Sequence, residues 1–193
     1  MHKVVNNLLS IQSEINSKIK HLNIKNYNPN IIAVTKTFTM KNIIPLINHG
    51  HYHFGENKVQ EAVEKWSNIK NDFDNLKLHM IGKLQTNKVK YVIPLFDYIH
   101  SLDNLRLAEK ISKEKSKINK KVKLFIQVNI GNESQKSGIE IEQLPSFYDK
   151  CKNDLGLDII GLMCLPPNEN KSSIYFSQMH ELMKKLKLNE ISM

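Results

Sequence analysis

Only two of the 193 residues are cysteines, Cys151 and Cys164. Neither sits in a C-x-x-C pair, so no structural zinc site follows, and both read as small buried thiols in a reducing compartment. No apolar run approaches the ~20 residues that span a bilayer. The opening MHKVVNNLLSIQSEINSKIK lacks the compact apolar centre of a signal peptide. Its Val5, Leu8, Leu9, Ile15 and Ile19 fall at helical spacing, which predicts an amphipathic first helix and a cytoplasmic protein. G-x-G-x-x-G and G-x-x-x-x-G-K-[ST] are both missing, and with them the two common nucleotide-binding loops. No linker, repeat or low-complexity stretch divides residues 1–193, so one domain with a sizeable core is expected.

Acidic residues are also in short supply, 19 against 28 Lys and Arg, for a net charge of +9. Such a balance can mark a nucleic-acid partner. Here the lysines are dispersed, and the one dense stretch, Lys110–Lys123, carries Glu114 and has Ile111 and Ile118 seven apart. It reads as the solvated face of a helix. With no basic stripe interleaved with aromatics, neither nucleic acid nor membrane is expected as a partner.

What is present is alternation. Short apolar runs at Ile31–Lys36, Tyr52–Gly55, Leu78–Gly82, Tyr98–Leu102, Val122–Ile130 and Asp158–Leu165 read as strands. Helix-period segments separate them. Residues 57–69 put Val59, Ala62, Val63, Trp66 and Ile69 on one face; residues 104–118 put Leu105, Ala108, Ile111 and Ile118 on one face, with Asp103 as N-cap. Residues 172–187 follow the same rule. Residues 41–50 hold a helix if Asn42 caps it and Pro45 falls in the first turn. The order implies βαβ units and a parallel sheet, open or closed into a barrel, with function at the carboxyl ends of the strands.

Those ends carry polar residues. The first strand delivers Thr35-Lys36-Thr37, the second Gly55-Glu56-Asn57, the third Gly82 just after His79, and the fifth Gln127 and Asn129 on one face. A lysine at such a rim either snorkels to water or offers its amine to a carbonyl ligand as a Schiff base. Glu56 and Asn57 either cap the next helix or line a pocket. His79 is a satisfied buried histidine or a neighbour of a ligand ring. Lys136-Ser137-Gly138 reads as a turn near the rim. His49, His51 and His53 alternate, but no carboxylate or cysteine completes a ligand set, and a chance cluster is the expectation.

The segments AVTKTF, FGENKVQE, HMIGKLQTNK, IHSLDN, FIQVNIGNESQKSGI and GLMCLPP, in this order from about Ile31 to Pro167, resemble the pyridoxal phosphate homeostasis protein family. YFSQMHELMKKL and the final ISM extend the likeness. This family is the single-domain relative of the barrel half of alanine racemase. The resemblance implies an α/β fold, a TIM (β/α) barrel of the alanine racemase N-terminal type. It implies pyridoxal 5′-phosphate (PLP) held as a Schiff base on Lys36, with Asn57, His79, Gln127 and Asn129 as pocket candidates. It implies a role in vitamin B6 homeostasis, with PLP-dependent apo-enzymes as candidate partners and no defined turnover. The alternative is a racemase-like PLP enzyme. A complete barrel takes ~250 residues, and Met193 falls within the expected seventh strand. About the first six to seven β/α units are expected, with the two phosphate-gripping loops of the family lying beyond them.

Overall fold

The computed structural model describes residues 2–25, 27–133, 135–167 and 172–193. The first helix, α1 (Lys3–His21), precedes seven parallel strands: β1 (Ala33–Val34), β2 (His53–Glu56), β3 (Lys77–Met80), β4 (Tyr98–Leu102), β5 (Lys123–Val128), β6 (Asp158–Cys164) and β7 (Glu190–Ser192). The helices between them are α2 (Met40–Asn48), α3 (Val59–Trp66), α4 (Val89–Leu95), α5 (Leu105–Ile118), α6 (Leu144–Asp149) and α7 (Ser172–Lys185). The strands pair in chain order, β1 to β7. No described helix is long and apolar enough to cross a membrane.

The sheet is curled. Neighbouring strands lie ~4.8 Å apart, so β4 and β7 would be roughly 14 Å apart in a flat sheet. Yet His100 Nδ1 on β4 and Ser192 Oγ on β7 are within 2.8 Å. Only a barrel-like curvature brings them together across a lumen, which is the architecture the sequence implies.

Alternation sorts each strand into two faces. Phe54 and Leu78 are register partners, and Phe54 packs its ring against Trp66 of α3 with centroids 5.2 Å apart. That face, continued by Met80, Ile99, Leu124 and Ile126, is fully buried under the helices. The opposite face looks into the lumen. There a Cβ on Gly55 would meet Ile32 at 3.0 Å and Ile81 at 3.2 Å. Ile32 and Val34 therefore share the lumen side, and Lys36 follows them at the same parity.

Four local expectations are corrected. Pro45 is inside α2, which starts at Met40 after Thr39, so Asn42 is not its cap. Starting there buries Ile43, Leu46 and Ile47, which offsets the hydrogen bond the proline removes. Asn104, not Asp103, caps α5: its Oδ1 accepts from Leu107 N–H at 2.9 Å, while Asp103 accepts from the Asn104 amide. Ile118 ends that helix beyond its packed stretch and is exposed, unlike buried Ile111. Strand β1 is shorter than the Ile31–Lys36 run because only Ala33 and Val34 pair with β2. One more ladder bond, Thr35 N–H to Gly55 O at 2.9 Å, continues its direction.

Candidate functional site

The carboxyl ends of β1 and β2 meet Lys65 and Trp66 of α3. Thr35 is buried, and its hydroxyl donates to Glu56 Oε1 at 2.7 Å. The same oxygen accepts from Trp66 Nε1 and Lys65 Nζ, both at 2.9 Å. Lys65 also donates to the Thr35 carbonyl at 2.8 Å. Glu56 is thus a fully buried ion-pair partner in the helix layer. It does not cap α3, whose N-cap position is Lys58 with no side-chain cap bond.

Two residues on, Thr37 N–H donates to Glu61 Oε1 at 2.6 Å. Thr37 has φ of 65°, the left-handed region. For a β-branched residue this costs about 1–2 kcal/mol. Glu61 pairs with Lys65 at 3.2 Å, one helical turn away. The Thr37 N–H, and after it Lys65, hold the Glu61 carboxyl below its ordinary range. Lys36 stands between these anchors with an exposed side chain. Its ammonium has no hydrogen-bond or ion-pair partner among the described residues.

The other sequence candidates fall in three places. Asn57 directly follows β2, half-buried, and its carbonyl lies where a Cβ on Gly82 would stand. Any side chain at Gly82 would push apart the loops after β2 and β3. Asn57 does not cap α3 either. Gln127 and Asn129 are buried and partnered within the loop that follows β5. Gln127 donates to Ser137 O at 2.9 Å. Asn129 donates to Glu133 O and Glu140 Oε1, and its Oδ1 accepts from Glu133 N–H. Gly138 needs its φ of 138° and its missing side chain, because a Cβ would strike the Asn129 backbone. No hydrogen bond among the described residues joins Asn57, Gln127 or Asn129 to Lys36.

His79 belongs to a row of rings inside the lumen. His53 Nδ1 meets His79 Nε2 at 3.0 Å, and His79 Nδ1 meets His100 Nε2 at 2.9 Å. His100 then meets Ser192. Tyr98 stacks on His79 and Phe125 on His100, each with centroids 4.3 Å apart. Burial, reinforced by His100, His53 and Lys70, pushes His79 down to about 2. Burial alone pushes His100 down to about 4. Burial and then Lys77 also lower His53. These rings are neutral at neutral pH.

The H-x-H-x-H pattern is divided by this arrangement. His51 Nε2 lies 2.9 Å from the His53 carbonyl oxygen, while the His53 ring turns to His79. Below the row, at the amino ends of the strands, is a cavity of about 600 Å³ lined by Gln12, Asn16, Asn30, His53, Lys77 and Tyr98. It lies at the end of the strands opposite Lys36, so this cavity and the rim chemistry are separate.

Several of these residues escaped sequence reasoning. Glu61 and Lys65 carry an i,i+4 acid–base signal, but nothing local says that they reach back to Thr35 and Thr37. His53 was visible only within the alternating His49, His51, His53 pattern, and His100 only as an isolated histidine. Their shared lumen parity with His79 was the usable signal.

Residues 10–192 match the family model described as alanine racemase, N-terminal domain. The pyridoxal phosphate homeostasis protein of Haemophilus influenzae is 33% identical over 187 residues, covering 95% of this chain and 79% of that one. That of Aquifex aeolicus is 38% identical over 159 residues, covering 81% and 69%. Among solved structures, PipY of Synechococcus elongatus with PLP bound is similar at a TM-score of 0.80 and 28% identity, covering 99% of this chain and 88% of that one.

Proposed function

Because the chain belongs to the pyridoxal phosphate homeostasis protein family, we propose that it binds PLP, with Lys36 as the point of attachment, and serves intracellular PLP homeostasis. The observation that carries this reading is the state of Lys36. It stands exposed in the turn that follows the carboxyl end of β1, its ammonium is uncommitted among the described residues, and the backbone on both sides is pinned to α3. When bound, PLP supplies an aldehyde carbon that an amine can attack with loss of water. A lysine suits that task when it can give up its proton without breaking a salt bridge, and Lys36 has none to break.

The remaining candidates take different parts in this proposal. Asn57 has a side chain free of hydrogen bonds to the described residues, so its amide is available to a ligand. Gln127 and Asn129 act through the loop after β5, whose shape they hold. His79 belongs to the lumen row rather than to the rim. The chain acts as one PLP-binding domain in the cytoplasm, and the recipients of the cofactor are apo forms of PLP-dependent enzymes.

The test is chemical. The purified chain is mixed with PLP, reduced with borohydride and mapped by peptide mass. Label concentrated on Lys36, with a visible absorbance change that Lys36→Ala abolishes, is the expected result. Label scattered over surface lysines, or an unaltered spectrum in Lys36→Ala, would sink the assignment.

A further inference from the structure

We infer that the Glu61–Lys65 pair of α3 is a backbone clamp that positions Lys36 for attachment; this rests on the function proposed above. Lys36 is bounded by two peptide groups. The carbonyl of the first belongs to Thr35 and accepts from Lys65 Nζ at 2.8 Å. The N–H of the second belongs to Thr37 and donates to Glu61 Oε1 at 2.6 Å. One ion pair, 3.2 Å across, therefore grips both peptide planes that set the backbone angles of Lys36. The side chain is the only part of the residue left free.

The conformation of Thr37 shows that something must hold this turn. A β-branched residue with φ of 65° persists only where its surroundings over-determine it. Core packing is not the cause, because Thr37 and its neighbours Lys36 and Phe38 are exposed. Thr35 is anchored on the buried side through Glu56. Past Thr35, Phe38 N–H donates to the Thr35 carbonyl at 3.1 Å and closes the turn, and the bond from Thr37 to Glu61 ties that turn to α3. Without it the strand end can relax toward ordinary extended backbone, and the Lys36 amine then leaves the rim in a range of directions.

The clamp is separable from the stability of the fold. Glu61 is the more exposed partner of its pair, and Lys65 keeps buried Glu56 as a counter-charge when Glu61 is removed, so losing Glu61 costs the fold little. Lys65 is a poorer target, since it also neutralises buried Glu56. Glu61 is therefore the residue to change.

The experiment measures the rate at which PLP is trapped by borohydride on Lys36, relative to trapping on surface lysines of the same molecule. It compares the parent, Glu61→Ala and Glu61→Gln, with the Thr37 amide hydrogen-exchange rate and the urea midpoint read alongside. Glu61→Ala should leave the midpoint nearly unchanged, free the Thr37 amide to exchange, and slow Lys36 labelling about tenfold or more. Glu61→Gln keeps an oxygen for the Thr37 N–H and should restore most of the rate. Labelling of Glu61→Ala as fast and as selective as the parent would overturn the clamp and leave attachment at Lys36 standing. A parent chain that never labels Lys36 would overturn the attachment itself, and the clamp with it.

Discussion

The rim and the lumen of this barrel handle buried polarity in opposite ways. At the rim, β2 and α3 supply full charges: Lys65 stands between Glu56 and Glu61, and Lys65 and Glu61 bond the backbone around Lys36. In the lumen, His53, His79, His100 and Ser192 satisfy one another with no carboxylate in the row. The rim can use charge because the Lys65 ammonium is matched by two carboxylates and a carbonyl and Glu61 reaches water. The lumen lies between Tyr98 and Phe125 and cannot solvate an ion, so it uses groups that hydrogen-bond while neutral. Charge is placed where chemistry on an amine is proposed and withheld where the curled sheet faces itself.

Removing the charge buried at the rim should have the largest effect. Glu56→Ala leaves the Trp66 indole N–H and the Thr35 hydroxyl without their acceptor and takes a buried counter-charge from Lys65. Urea unfolding should show a loss of about 3–5 kcal/mol. A loss smaller than that of the lumen variant below would invert the comparison.

Acid should attack the lumen before the rim, where the Glu61 carboxyl is held below its ordinary range. The folded-state values of His79 and His100, about 2 and about 4, lie below their ordinary value of 6.5. As pH falls below about 6.5, the unfolded chain takes up protons that the folded one refuses. The stability present above that pH is therefore lost, by up to roughly 1.4 kcal/mol per pH unit for each ring. The loss from His100 saturates near pH 4. Urea midpoints between pH 7 and 4.5 measure the slope, and a flat profile would mean that the rings are protonated in the fold.

His79→Phe sharpens the same point by keeping a ring for Tyr98 to stack on. It strands one nitrogen on His53 and one on His100, at a cost of about 1–3 kcal/mol. It should also remove its own share of the acid slope. Glu61→Ala is the smallest perturbation of folding, within about 0.5 kcal/mol, although its effect on Lys36 is large. A drop as great as that of Glu56→Ala would make the two carboxylates equivalent and erase the distinction between a folding charge and a positioning one.

The apolar runs announced the strands because a parallel sheet covered on both faces needs them. Polar residues at their carboxyl ends announced the rim, Lys36 among them. Gln127 and Asn129 were legible as a pair in need of partners, but the partners lie in an irregular loop that no periodicity marks. Pro45 and Asn104 show burial and side-chain geometry overriding local start signals. The clamp was hidden because Glu61 meets a backbone amide 24 residues earlier. The row of rings was hidden because it depends on how far the sheet curls, which brings together residues 92 positions apart.

That row has a property none of its members has alone. A neutral imidazole donates through one nitrogen and accepts through the other, so three in series must all point the same way. If the Ser192 hydroxyl gives its hydrogen to His100, each ring passes one on, and His53 is left with N–H on Nε2. If His53 gives first, every bond reverses, and its Nε2 carries a bare lone pair. His53 lines the lower cavity, while Ser192 lies on the last strand, across the lumen. The place of a single hydrogen on β7 is thus written, as donor or acceptor, on the wall of a chamber at the other end of the row.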